Sequence, residues 1–165
     1  MCYNFKDKVI VIFGANTEIG NYLCDELVTA GADVICIDNK EQTNNDTDLI
    51  LDIMNDNYVA THDMLYNNII YKYSNLFGIV NILTETEKPS ICIKLLDGLF
   101  SSNKVSIVNV INENNLTNAS RLIKSFHTNK TNNIGLCNNK NIANSLMFLL
   151  SEESDGINGH TLIVK

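Results

Sequence analysis

The feature that most limits the fold of this chain is a series of unbroken apolar runs, beginning with KVIVIF from Lys8 to Phe13. A strand with one wet face alternates apolar and polar residues, so a continuous β-branched run is the pattern of a strand buried on both faces of a parallel sheet. Similar runs recur as DVICID (33–38), DLILDI (48–53), LFGIVNIL (76–83), KVSIVNVI (104–111), NNIGLC (132–137) and HTLIV (160–164). Helical spacing fills the intervals. Ile19, Leu23, Leu27 and Val28 share a face and Gly31 closes that helix, while Val59, Leu65, Ile69 and Ile70 mark another between 56 and 74. Pro89 stands near the start of a helix carrying Ile93, Leu96 and Phe100, and LTNASRLIKSF and NIANSLMFLL read as two more. Strand and helix alternate throughout, which predicts an α/β chain with a doubly wound parallel sheet, a Rossmann-like three-layer α/β/α fold in a single domain spanning 1–165.

Composition narrows the function. The net charge is −7 with twelve scattered Lys and Arg, which excludes the basic face that nucleic-acid phosphates require. No apolar run approaches the roughly 18 residues of a membrane span, and no cleavable apolar segment leads the chain, so a cytoplasmic protein is expected. Cys2, Cys24, Cys36, Cys92 and Cys137 lie far apart without a Cys-x-x-Cys pair, and His62, His127 and His160 are equally dispersed. Neither a metal site nor a redox motif is expected from those spacings. Asparagine collects between the apolar runs, where its tolerance of left-handed backbone suits turns.

The stretch VIFGANTEIGNYLCDELVTAGADVICID (11–38) reads as strand, glycine turn, helix and a second strand ending in an acid, the opening of a dinucleotide-binding domain. Together with the closing NIANSLMFLLSEESDGINGHTLIV, it resembles the short-chain dehydrogenase/reductase family from about Lys6 to the C-terminus. The resemblance implies NAD as cofactor. Gly14 would open the tight turn, Gly20 would let helix pack closely on sheet, and backbone N–H groups from Asn16 to Ile19 would face a diphosphate at the helix N-terminus. Asp38 would take the adenosine ribose hydroxyls and repel the 2′-phosphate of NADP, with Asp52 and Ile53 flanking the adenine and Asn81 standing first in the family's Asn-Asn-Ala-Gly strand end.

Three departures from the family pattern bear on chemistry. Glu18 stands where a third glycine lets backbone approach the diphosphate; a carboxylate about 4 Å from a phosphate charge costs about 4 kcal/mol at an effective dielectric near 20. With no anion bound, the same acid in a first helical turn is favourable by a few tenths of a kcal/mol. Ile82, Leu83 and Thr84 replace the small residues after Asn81. In the catalytic half, Asn112 falls at the serine position, and Thr117 and Arg121 replace the tyrosine and the lysine four residues on. No tyrosine follows Tyr73, and none anywhere has Lys four residues later. The segments between the fourth and fifth strands and between the sixth strand and last helix are short, so the substrate lid is expected to be missing.

These residues point to a non-catalytic or impaired oxidoreductase homologue. Two further readings remain open: an active NAD-dependent enzyme whose relay uses Asn112, Thr117, Arg121 and water, and an interaction subunit. The last rests on Asn141–Leu150, apolar nearly all round, which would pair with a second copy as a homodimer or with a full-length relative.

Overall fold

The computed structural model describes residues 3–38, 49–50, 67, 76–82, 105–111, 130–135, 139–158 and 160–163. Within them lie strands β1 (Val9–Phe13), β2 (Asp33–Asp38), β3 (Leu49–Ile50), β4 (Leu76–Ile82), β5 (Ser106–Ile111), β6 (Lys130–Gly135) and β7 (Thr161–Ile163). They form one seven-stranded sheet in the order β3-β2-β1-β4-β5-β6-β7, every neighbouring pair parallel. The expected doubly wound α/β architecture is therefore present. Each predicted strand exists, with β6 beginning at Lys130, two residues before the apolar run. Asp52 and Ile53, and the helices expected around 56–74, Pro89 and Leu116–Phe126, fall outside the described residues apart from Asn67, which is helical.

Helix α1 (Glu18–Thr29) starts and stops on local chemistry. Thr17 is its N-cap, and the Thr17 hydroxyl accepts a hydrogen bond from the Gly20 N–H at 3.0 Å. At the other end the Gly31 N–H donates to the Val28 carbonyl and the Ala32 N–H to the Leu27 carbonyl, both at 3.0 Å. This pair of bonds is a Schellman closure, which satisfies carbonyls that a helix end otherwise leaves bare. Ile19, Leu23 and Leu27 are buried as their spacing predicts, whereas Val28 is 59% exposed. Val28 lies one position beyond Leu27, about 100° around the helix, and so leaves the buried face.

One face of the sheet, carrying Ile10, Ile12, Val80, Ile82, Val108, Val110 and Ile134, packs with α1 and with α2 (Asn139–Leu150) into a continuous core. Alternation puts Val11, Phe13, Ile79 and Ile107 on the opposite face, where they are buried as well. Ile142, Ala143, Leu146, Met147, Leu149 and Leu150 of α2 are all buried within the chain itself. The helix is apolar on several sides because it meets both the sheet and α1, and its outward positions Asn141 and Asn144 are exposed and polar.

The buried C-terminus of α2 needs hydrogen-bond donors for its last carbonyls, and serines supply them. The Leu149 carbonyl accepts from the hydroxyls of Ser106 and Ser154, both at 3.0 Å, and the Phe148 carbonyl accepts from the Ser151 hydroxyl at 2.7 Å. Ser106 lies on β5, so this helix end is tied to the sheet by a polar as well as an apolar contact. The fully buried Leu146 joins α2 to the core, and Leu146→Ala is expected to cost about 2–5 kcal/mol. The check is a urea melt in which the midpoint falls while the slope stays constant.

Candidate functional site

The turn between β1 and α1 lies at the C-terminal edge of the sheet, where chain order reverses: β2 and β3 extend from one side of β1 and β4 begins the other. In open α/β sheets such a switch point leaves a crevice in which ligands bind. The turn is packed tightly at this edge. Gly14 has φ +79°, a conformation L side chains rarely adopt, and a Cβ added there would stand 2.3 Å from the Ile82 carbonyl oxygen at the end of β4. The Gly14 N–H donates to the Ile37 carbonyl at 3.0 Å, which ties the same residue to the end of β2. Gly20 is constrained by proximity instead: a Cβ there would lie 2.5 Å from the Gly14 oxygen and 2.7 Å from that of Ala15.

Asp38, the last residue of β2, is nearly buried and its Oδ2 accepts a hydrogen bond from the Asn16 N–H at 2.8 Å. The acid at the strand end and the backbone of the turn are thus one unit. Of the four N–H groups expected to face an anion, that of Asn16 is engaged by Asp38 and that of Thr17 by the Gly14 carbonyl at 3.1 Å. Glu18 and Ile19 open α1, Ile19 turned into the core and the Glu18 side chain exposed. Solvent around that carboxylate reduces its repulsion of a charge 4 Å away to about 1 kcal/mol, well below the cost in a partly buried setting.

Asn81 lies on the other face of the sheet, fully buried. Its Nδ2 donates to Oδ1 of Asn109 on β5 at 2.7 Å, and its own Oδ1 is buried with no hydrogen-bond partner among the described residues. The amide is therefore used between strands. Asn109 escaped the sequence reading, though a signal was there: GIVN on β4 and SIVN on β5 pair in register residue for residue, and Asn133 of β6 continues the same row. Asp52, Ile53, Asn112, Thr117 and Arg121 fall outside the described residues; Gly14, Asn16, Ile19, Gly20 and Asp38 come together at this edge, and Asn81, paired with Phe13 beside the turn, stands at it with its amide directed to Asn109. Only residues 136–138 separate β6 from α2, in keeping with a short connection there.

A sulfur contact that no Cys-x-x-Cys spacing signals joins α1 to β2. Cys24 of α1 and Cys36 of β2, twelve positions apart, place their Sγ atoms 3.1 Å from each other in the core. Among the described residues no group of three His, Cys, Asp or Glu is arranged to hold a metal ion, and no helix is long and apolar enough to cross a membrane. A cavity of about 400 Å³ opens at the opposite edge of the sheet, lined by Tyr3, Phe5, Phe77 and the Lys8–Glu152 ion pair, which closes at 3.1 Å. It lies at the far end of β1 from the glycine turn.

Comparison of the sequence with protein-family models and with curated proteins finds no match. Solved structures, by contrast, match over nearly the whole chain. A short-chain dehydrogenase/reductase family oxidoreductase from Brucella ovis, in complex with a partially ordered NAD, superposes with a TM-score of 0.77 at 17% identity, covering 96% of this chain and 99% of that one. A short-chain dehydrogenase from Leptospira borgpetersenii with bound NAD+ gives 0.78 at 13% identity, over 98% and 92%. The oxidoreductase yciK of E. coli gives 0.75 at 16% identity, over 98% and 96%.

Two changes test how tightly the site is built. Gly20→Ala forces a Cβ against the turn and is expected to destabilise the chain by about 1–3 kcal/mol in chemical denaturation. Asn109→Ala strands the Asn81 amide at a cost of about 1–3 kcal/mol, and the Asn81→Ala/Asn109→Ala double variant loses less than the sum of the two singles in a double-mutant cycle.

Proposed function

The chain has the fold of the short-chain dehydrogenases/reductases, and from that premise we propose that it keeps the dinucleotide-binding half of the machinery and has lost the hydride-transferring half. It is then an NAD-binding oxidoreductase homologue without turnover. Support for the nucleotide comes from the chain's own edge geometry and from the NAD carried by the Brucella and Leptospira structures. The turn is in keeping with this reading: only glycine is accommodated at positions 14 and 20, and Asp38 is held at the end of β2 by the Asn16 N–H. Asp38 would accept from ribose hydroxyls, and its charge would exclude a 2′-phosphate, which favours NAD. Bound NAD would supply a hydride acceptor, and Gly14, Gly20 and Asp38 would hold it at the strand ends.

The observation that carries the loss of chemistry is that the chain has no tyrosine after Tyr73 and none followed by Lys at the fourth position. A phenol exchanges a proton near neutral pH more efficiently the closer its pKa is brought to the operating pH. Tyr22 and Tyr3, the described tyrosines, go the other way. The charge of Glu26 and then its hydrogen bond raise the Tyr22 phenol, and burial followed by the charge of Glu153 raises that of Tyr3. Both shifts run against such a role.

Calorimetric titration with NAD and NADH tests the reading. The natural chain is expected to bind, Glu18→Gly to bind about three- to tenfold more tightly through removal of about 1 kcal/mol of screened repulsion, and Asp38→Asn to bind at least tenfold more weakly. No alcohol or carbonyl compound should change nicotinamide absorbance at 340 nm. Failure of both the natural chain and Glu18→Gly to bind would remove the cofactor from the proposal, and turnover that disappears with Asp38→Asn would restore the catalytic reading.

A further inference from the structure

We infer that Cys24 and Cys36 are a modification site: a buried dithiol that peroxide converts into an intramolecular disulfide, stapling α1 to β2 beneath the glycine turn. The geometry points to this product over other fates of a thiol. The two Sγ atoms are 3.1 Å apart, and a disulfide holds them at about 2.05 Å, so closure requires about 1 Å of movement. Both residues are 5% exposed and lie on elements that already pack together. Cys36 is anchored by the β1 pairing opposite Ile12, and Cys24 lies between the Thr17 cap and the Gly31 closure of α1.

The chemistry balances with hydrogen peroxide as the named oxidant. One thiolate attacks a peroxide oxygen, the O–O bond breaks, and a sulfenic acid and water form; the neighbouring thiol attacks that sulfur, the S–O bond breaks, and a second water leaves. Two thiols have then lost two electrons and two protons, and peroxide has become two waters. With the second sulfur already in contact, capture of the sulfenic acid outruns further oxidation to sulfinic acid. The bond would matter to the edge above it. Asp38 is two residues beyond Cys36, and Gly20 four residues before Cys24, so the staple fixes the distance between the two elements that carry the turn and its acid. The inference does not depend on nucleotide binding.

The test uses the natural chain, treated with hydrogen peroxide, alkylated in denaturant and digested with trypsin without reductant. Lys8 and Lys40 bound a tryptic peptide, 9–40, that contains these two cysteines and no other. The expected peptide is lighter by two hydrogens, takes no alkyl group, stays joined after cleavage following Glu26, and takes two alkyl groups after dithiothreitol. In a thermal melt the oxidised chain is expected to unfold several degrees higher than the reduced chain, a shift that Cys36→Ser abolishes. Two alkyl groups after peroxide, added oxygen on either sulfur, or linkage to Cys2, Cys92 or Cys137 would overturn the inference. A linked chain that melts no higher would overturn the staple.

Discussion

No side chain fits between Gly14 and the end of β4, and much of the molecule follows from that contact. A Cβ on Gly14 would fall 2.3 Å from the Ile82 oxygen, and the Gly14 N–H holds the Ile37 carbonyl of β2. One glycine thereby joins the C-terminal ends of β2, β1 and β4 at the position where the sheet order reverses. The same residue sets up the helix. Its carbonyl accepts from both the backbone N–H and the hydroxyl of Thr17, and Thr17 then caps α1 through the Gly20 N–H. A tight strand-to-helix turn and a capped helix at the switch point of the sheet are consequences of one close approach.

Polar groups buried deeper in the sheet follow the same economy of short contacts. The end of α2 is sealed by hydroxyls from Ser106, Ser151 and Ser154, so a helix terminus can sit against β5 without bare carbonyls. Asn81 and Asn109 bridge neighbouring strands through their amides on the other face. Such a pair adds little net stability against water but penalises any register in which one amide loses its partner. The matched IVN triplets of β4 and β5 thus bring the two amides into contact only in the observed alignment.

What could be read from the residues divides along the range of the interactions. Unbroken β-branched runs and the 3.6-residue spacing of Ile19, Leu23 and Leu27 are local signals, and they led to the strands, to α1 and to the sheet class. Gly31 and Thr17 act within one turn of their own helix end. Val28 misled because it adjoins an apolar face without lying on it. The Asp38–Asn16 bond, the Asn81–Asn109 pair and the Cys24–Cys36 contact join different elements, so they depend on sheet order and register that no local pattern specifies. The polar start of β6, Lys130 and Thr131, was hidden for a related reason: pairing with β5, not side-chain apolarity, makes it a strand.

Glu18 shows how one side chain at a helix N-terminus sets helix stability against anion binding. At the first position of α1 its carboxylate complements the helix dipole and leaves the hydrophobic side of the helix to Ile19 and Leu23. The fold gains slightly from that acid for as long as no anion binds there. A diphosphate at the same N-terminus would reverse the sign, since the dipole that favours Glu18 also favours its competitor. An acid at this position therefore favours the helix over a bound anion by a small amount of free energy, with the core untouched. Apolar packing over many residues holds the sheet, whereas any chemistry on such a fold rests on a few side chains, so the architecture does not depend on the residues at its edge.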